Sequence, residues 1–431
     1  SVCCILENDR TGVVDRVGLV DHLAKRDVHG CRSHACAHKA VVAVDKADAV
    51  VAEVLIRSTG GASYADDVVS AAAEMVGLHA SDPATVYLSA WARVSGFDAG
   101  DLEAALYDDR TLLRMLGMRR TMFVVPPDLA AVMQAACTNA LLPPQRRRLA
   151  RMLGEQGISP DPEAWLDDVE TRVLASLAVR GEATATELTE DVPELATKLM
   201  FGAGKKWGGT VGVSTRVLFL LATAGSILRG RPRGTWLSSQ YRWALTSEWV
   251  GAPLPDLDRA PAQADLLARW LRTFGPGTLT DLKWWTGWTV RDTKAALETV
   301  GAVGVDLETG TGWVLPDDLE GEAVPDGWVA LLPALDPTVM GWKERDWYLG
   351  NHQAALFDRN GNAGPTVWCN GRIVGGWTQR RDGEVVVEVL EDVGAEALGR
   401  LEEEAERLQV WLGEVRITPR FRTPLDKRLA G

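Results

Sequence analysis

No stretch of the chain reaches the roughly 18 uninterrupted apolar residues that a membrane-spanning helix requires. Residues 211–227, for example, are broken by Ser214, Thr215, Arg216 and Gly225. No positively charged start leads into an apolar run and a small-residue cleavage site, so a cytoplasmic, non-membrane protein is expected. Cysteine is scarce. The six residues Cys3, Cys4, Cys31, Cys36, Cys137 and Cys369 are too few and too uneven for a disulfide framework in a chain of this size. Positive charge is also short: 46 basic against 59 acidic residues give a net charge of −13. That balance argues against coating nucleic acid by bulk electrostatics, although it leaves room for a local basic face. A nucleotide-binding loop is excluded too, because Gly202-Ala203-Gly204-Lys205-Lys206 lacks the Gly-x-x-x-x-Gly-Lys-Ser/Thr spacing.

What remains is ordinary globular composition, 46% hydrophobic and 24% charged over 431 residues, enough for two to four domains. Residues 1–57 hold four of the six cysteines and four of the six histidines but no sustained helical or strand period. Within them Cys31, His34, Cys36 and His38 have zinc-ligand chemistry without the two-pair spacing of zinc fingers, so no metal is expected. The sequence pattern of this extension assigns it no fold.

Regular patterning starts near Ala65. Val68, Val69, Ala72, Met75 and Val76 fall at helical spacing behind Asp66 and Asp67, where carboxylates favour the helix dipole. Further helices are predicted at residues 101–107, 127–139 and 144–153, and a strand at 121–125. Residues 58–160 thus read as a helical unit. A rhythm of helix, turn, helix, helix and hairpin follows twice, at 161–250 and 251–322. In the first, strand-like Ile227, Leu228 and Trp236, Leu237 flank Arg229-Gly230-Arg231-Pro232-Arg233-Gly234. Both fit winged helices, whose third helix and hairpin tip reach DNA. Residues 323–431 read as antiparallel hairpins turning at Asn370-Gly371 and Asp382-Gly383, closed by an amphipathic helix at 395–411. The predicted fold class is α+β: tandem winged-helix modules with a C-terminal β-rich portion.

Several ordered segments carry a resemblance. Val76-Gly77-Leu78-His79-Ala80-Ser81-Asp82-Pro83, Leu88-Ser89-Ala90-Trp91-Ala92-Arg93 and Met118-Arg119-Arg120-Thr121-Met122-Phe123-Val124 resemble the AlkZ-like DNA glycosylases. So do Leu332-Pro333-Ala334-Leu335-Asp336, Gly341-Trp342-Lys343-Glu344-Arg345 and Asn370-Gly371-Arg372-Ile373-Val374-Gly375-Gly376-Trp377. The resemblance covers residue 62 to the end. It implies tandem winged helices that remove alkylated bases from DNA, in a family that includes self-resistance proteins of antibiotic producers. Members typically carry Gln-Φ-Gln, where Φ is apolar, to hold the water that attacks the sugar. Here the matching positions are His79, Ala80 and Ser81.

An N7-alkylguanine or N3-alkyladenine is already a good leaving group, so orienting a water beneath C1′ is most of the catalytic task. His79 suits that as acceptor or neutral general base, and Ser81 as a hydroxyl that positions the same water. Asp82 is either the base, the group that orients His79, or part of a helix-ending turn before Pro83. His79 itself has a plain alternative as a core histidine. If it is the base, the rate should fall below its pKa, ordinarily near 6.5.

For DNA contact the candidates are Arg119 and Arg120, Lys205 and Lys206 in a Gly-rich stretch, and Arg229, Arg231 and Arg233 on the predicted wing. Arg380 and Arg381 form a further basic pair. Trp377 is either a DNA-facing or a core side chain, whereas Trp284, Trp285 and Trp288 read mainly as packing. No lysine matches the catalytic motif, so no Schiff-base step and no cofactor are expected. The expected partner is double-stranded DNA carrying an alkylated purine, met by a monomer. The rivals are a non-catalytic winged-helix regulator or lesion sensor, in which replacement of both glutamines marks lost catalysis, and a scaffold.

Overall fold

The computed structural model describes residues 65–202, 208–308, 310–319 and 327–431. The Cys31 to His38 cluster, Lys205 and Lys206 lie outside the described residues.

Asp67 accepts a hydrogen bond from Ser70 N and caps α1 (Val68–Glu74). The chain then makes β1 (Leu78–His79), α2 (Pro83–Trp91), α3 (Ala99–Glu103), β2 (Leu113–Leu116) and β3 (Met122–Val125). The strands are antiparallel in the order β1-β3-β2. Helix, strand, two helices and a hairpin make a winged helix, so the segment expected as a helical unit carries a sheet of its own. Its signals are weak for physical reasons. All nine residues of α2 are buried, which erases the amphipathic period, and β1 is two residues long.

Two helices, α4 (Pro127–Met133) and α5 (Leu142–Glu155), lead to the second module. There α6 (Pro162–Arg180) starts at the Asp161 cap and stops at Gly181, which has φ 71°. β4 (Glu182–Ala183) and α7 (Ala185–Asp191) follow, α7 opened by a Thr184–Glu187 capping box. An extra hairpin, β5 (Lys198–Phe201) with β6 (Gly209–Gly212), precedes α8 (Val213–Thr223), β7 (Ile227–Pro232) and β8 (Tyr241–Leu245). The partner of β7 is therefore not the Trp236-Leu237 pair that the sequence suggested. Trp236 instead stacks on Tyr87 of α2 at 4.5 Å, so its burial is spent on the first module.

After the one-turn α9 (Thr246–Trp249), the third module repeats the plan. It comprises α10 (Arg259–Phe274), β9 (Gly277–Thr278), α11 (Leu279–Thr286), α12 (Val290–Thr299), β10 (Val303–Leu307) and β11 (Gly310–Val314). Its sheet order, β9-β11-β10, matches β4-β8-β7 and β1-β3-β2: the first strand of each module always pairs with the last. Three winged helices thus succeed one another.

The remaining chain forms an antiparallel sheet of β12 (Val329–Leu332), β13 (Thr366–Cys369), β14 (Arg372–Gln379) and β15 (Val385–Val389). The short helices α13 (Asp346–Leu349) and α14 (Gln353–Leu356) lie between β12 and β13. α15 (Gly394–Leu412) packs on β12 and β15, and α16 (Pro424–Leu429) packs on β14. The first and third modules share one apolar core with this C-terminal sheet, while the second module closes a separate core around Val173, Leu177 and Val217. Among the described residues no helix is long and apolar enough to cross a membrane.

Candidate active site

The modules leave a cleft of about 760 Å³ whose wall is drawn from all three of them and from the C-terminal part. His79 enters it from β1. Gly77 turns the chain into that strand with φ 99°, and a Cβ there would stand 2.9 Å from Val125 Cγ1, so glycine is required. β1 pairs His79 with Phe123, and Ala80 N donates to Met122 O at 2.8 Å, which keeps the backbone extended. Side chains therefore alternate: His79 and Ser81 line the cleft, while Ala80 turns into the core at 1% exposure. The apolar middle residue of the motif is thus a core contact. It lets two polar neighbours share one surface.

The His79 ring lies edge-on to Phe123 at 5.7 Å and its Nδ1 is buried without a partner among the described residues. Burial, then the Arg119 charge, push its pKa down to about 3 against a smaller opposing effect of Asp336. The imidazole is neutral at any ordinary pH, so one ring nitrogen keeps a lone pair.

Asp82 is not on the cleft wall. Its Oδ1 accepts from Ala84 N at 3.2 Å, capping α2, and its Oδ2 accepts from Arg420 N at 2.8 Å. Burial raises its pKa against these donors. The turn expected here is a helix-ending one; instead Asp82 opens a helix, and both its oxygens are taken up by backbone N–H groups.

Six cations line the cleft, Arg119, Arg120, Arg216, Arg229, Lys343 and Arg345, against the single carboxylate of Asp346. A chain of net charge −13 thus encloses a basic surface. A second, more open depression of about 800 Å³ has Asp346 and Asp358 against Arg359, so it lacks that bias. Arg119 and Arg120 occupy the β2–β3 turn, the wing of the first module, with φ of 53° and 63°. Leu335, also on the cleft wall, has φ 61°. Left-handed backbone at residues with a side chain costs roughly 1–3 kcal/mol each and gathers at functional sites.

The other predicted contacts are distributed differently. Arg229 reaches the cleft and lies 5.3 Å from the Tyr241 ring centroid. A register shift between Arg229 and Pro232 breaks the alternation of the strand, and Arg231 turns to Asp108 at 2.7 Å and Glu103 at 3.6 Å. Arg233 is exposed beyond it. Arg380 pairs with Glu384 at 2.5 Å and Arg381 is exposed, neither of them on the cleft. Trp377 is a correction. It is 2% exposed and its indole N–H donates to Leu332 O at 2.9 Å, so it fills the core under β14 and presents no face to a duplex.

Sequence reasoning missed Arg216, Lys343, Arg345 and the cleft-facing position of Trp284. Arg216 had a signal, as the lone charge in the apolar helix α8. Lys343 and Arg345 lay in a segment that resembles the family, but nothing in the sequence placed them on the cleft. They are brought in by Asp281, whose Oδ1 accepts from Lys343 N at 2.7 Å and Glu344 N at 2.8 Å. No three His, Cys, Asp or Glu side chains among the described residues converge as metal ligands do.

The chain is similar to the DNA glycosylase AlkZ of Streptomyces sahachiroi at a TM-score of 0.67 and 20% identity, over 84% of this chain and 96% of that one. At that identity the likeness speaks for the fold. No curated protein matches. The family model described as DNA glycosylase AlkZ-like matches residues 72–411, which takes in the three winged helices, the C-terminal sheet and both sides of the cleft. The chain belongs to the AlkZ-like DNA glycosylase family.

Proposed function

We propose that this DNA glycosylase is monofunctional and hydrolyses the N-glycosidic bond of alkylated purines, of N7-alkylguanine or N3-alkyladenine type, in double-stranded DNA. The observation that carries the reading is a neutral His79 beside Ser81 on the wall of a cationic cleft. In this scheme the unprotonated ring nitrogen of His79 accepts a hydrogen bond from water and Ser81 Oγ steadies the same molecule beneath C1′. The water oxygen bonds to C1′ as the C1′–N bond breaks. The cationic base leaves with the bonding pair as a neutral alkylpurine, and the water proton is released through His79 to solvent. With a pKa of about 3, His79 is a weak base, so its work lies in orientation. That suits a leaving group which already carries positive charge. Arg119, Arg120, Arg216 and Arg229 supply the phosphate contacts, and Leu116, Phe219, Met340 and Phe421 give the cleft an apolar side against which a bulky adduct packs.

The test is incubation with a duplex carrying a single N7-methylguanine, followed by alkali. Strand breaks at the lesion are expected. A gel shift without breaks would favour a non-catalytic lesion sensor, and neither would leave a scaffold.

A further inference from the structure

We propose that Arg119 and Arg345, one on each strut of the Trp284 platform, form a receptor for a single backbone phosphodiester of DNA beside His79. The inference rests on the DNA-acting reading above and names which contact the cleft makes. The Arg119 guanidinium lies 4.1 Å from the Trp284 ring centroid and that of Arg345 lies 5.3 Å from it. They come from parts of the chain more than two hundred residues apart, and each is held there by its own device. Arg119 sits in the left-handed turn of the first wing, and Arg345 follows the segment that Asp281 pins to the start of α11. Arg345 is 9% exposed and also donates to Trp342 O at 2.9 Å.

Two like charges held over one aromatic ring repel each other, and burial adds to the penalty. Neither has a carboxylate within ion-pair distance among the described residues, and the buried Nε of Arg119 has no acceptor. Lys343 lines the same cleft. Cation–π contact with Trp284 offsets part of the cost, but Arg119 Nε remains without an acceptor. An anion with several acceptor oxygens supplies what is missing. The planar forks of two guanidinium groups match a phosphodiester, which the partner of a DNA glycosylase carries at every nucleotide. Arg119 is also close enough for its charge to act on His79, so a phosphate held there lies next to the reacting sugar.

The experiment is a methylphosphonate walk with the full chain: duplexes each carry one neutral linkage at successive positions around the lesion, and binding is measured for wild type, Arg345→Gln and Arg119→Gln. Loss of a charge-assisted contact should weaken wild-type binding roughly ten- to hundredfold at one linkage. That same linkage should cost each variant less than it costs wild type, because one arginine of the pair remains, and should cost the doubly substituted Arg119→Gln, Arg345→Gln protein nothing further. Arg119→Gln guards against misfolding of Arg345→Gln, because its side chain stands on a turn outside the Trp342 packing. If no linkage has a reduced cost in the variants, or if the two variants point to different linkages, the receptor does not exist. Inorganic phosphate that quenches tryptophan fluorescence while no linkage couples would assign the site to a free anion and overturn the DNA assignment. Base release is followed in parallel. Coupling without release from alkylated duplex would sink the glycosylase reading and leave the phosphate site standing; release without coupling would do the reverse.

Discussion

Arg93 grips Asp336 across 243 residues of chain, with Nη2 donating to Oδ1 at 2.7 Å and Nη1 to Oδ2 at 3.0 Å. Both side chains are buried, Asp336 completely, and Ser89 Oγ and Thr338 N complete the carboxylate's shell at 2.7 and 3.0 Å. The pair ties the end of α2 to the loop that carries Leu335 and so holds the two walls of the cleft together. Truncating one member of such a pair leaves the other charged and buried. Asp336→Ala is expected to lose about 3–5 kcal/mol of stability in urea unfolding. A loss below 1 kcal/mol would mean the clamp is incidental.

For the chemistry, His79→Ala should lower single-turnover base release by about 10² to 10⁴ with DNA affinity little changed, because the group acts on the transition state. Ser81→Ala should be milder, since a hydroxyl that helps position water contributes less. His79→Gln should recover much of the rate, as an amide oxygen also accepts from water. Full activity in folded His79→Ala would remove His79 from the mechanism.

The depressed pKa of His79 sets two pH dependences. Its contribution to the rate should stay level from pH 8 down to pH 5 and fall only as pH approaches about 3. For stability the sign follows from the unfolded chain, where a histidine titrates near 6.5. Below that value the unfolded state binds a proton that the folded state refuses, so stability falls by about 1.4 kcal/mol per pH unit until pH nears 3. His79→Gln should flatten that part of the stability profile. A wild-type rate inflecting at 6.5 and absent in His79→Gln would show that the ring is far better solvated than its burial implies.

Asp82 separates structure from catalysis. Asp82→Ala removes a helix cap and the Arg420 contact, and a loss of about 0.5–2 kcal/mol is expected from the cap. Asp82→Asn keeps the cap oxygen and should release base within a few-fold of wild type. An effect as large as that of His79→Ala would return Asp82 to the chemistry.

The wing arginines should divide likewise. Arg229→Ala is expected to reduce the log–log salt slope of DNA binding by about 0.9, the signature of one lost phosphate contact. Arg231→Ala should leave the slope unchanged, because Asp108 and Glu103 already hold that charge. Equal slope changes for both would mean that the wing rearranges on DNA.

The chain by itself determined what local rules govern. Apolar spacing, capping residues such as Thr184 with Glu187, and Asn-Gly or Gly stops mark α6, α8, α10 and the C-terminal hairpins wherever an element has one wet face. The ordered motifs likewise brought out the family. Tertiary structure decided what burial on all sides conceals. The wholly buried α2 and two-residue β1 have no period to read, so the first winged helix emerged only from the pairing of β1 with β3. The cleft is of the same kind. Arg119, Trp284 and Arg345 lie far apart in the chain, and their convergence depends on a strained turn and on Asp281 capping a helix it does not share with Arg345. Whether Trp377 faces core or duplex, and whether Arg231 meets phosphate or Asp108, likewise depended on packing partners and a strand irregularity that one-dimensional pattern does not encode.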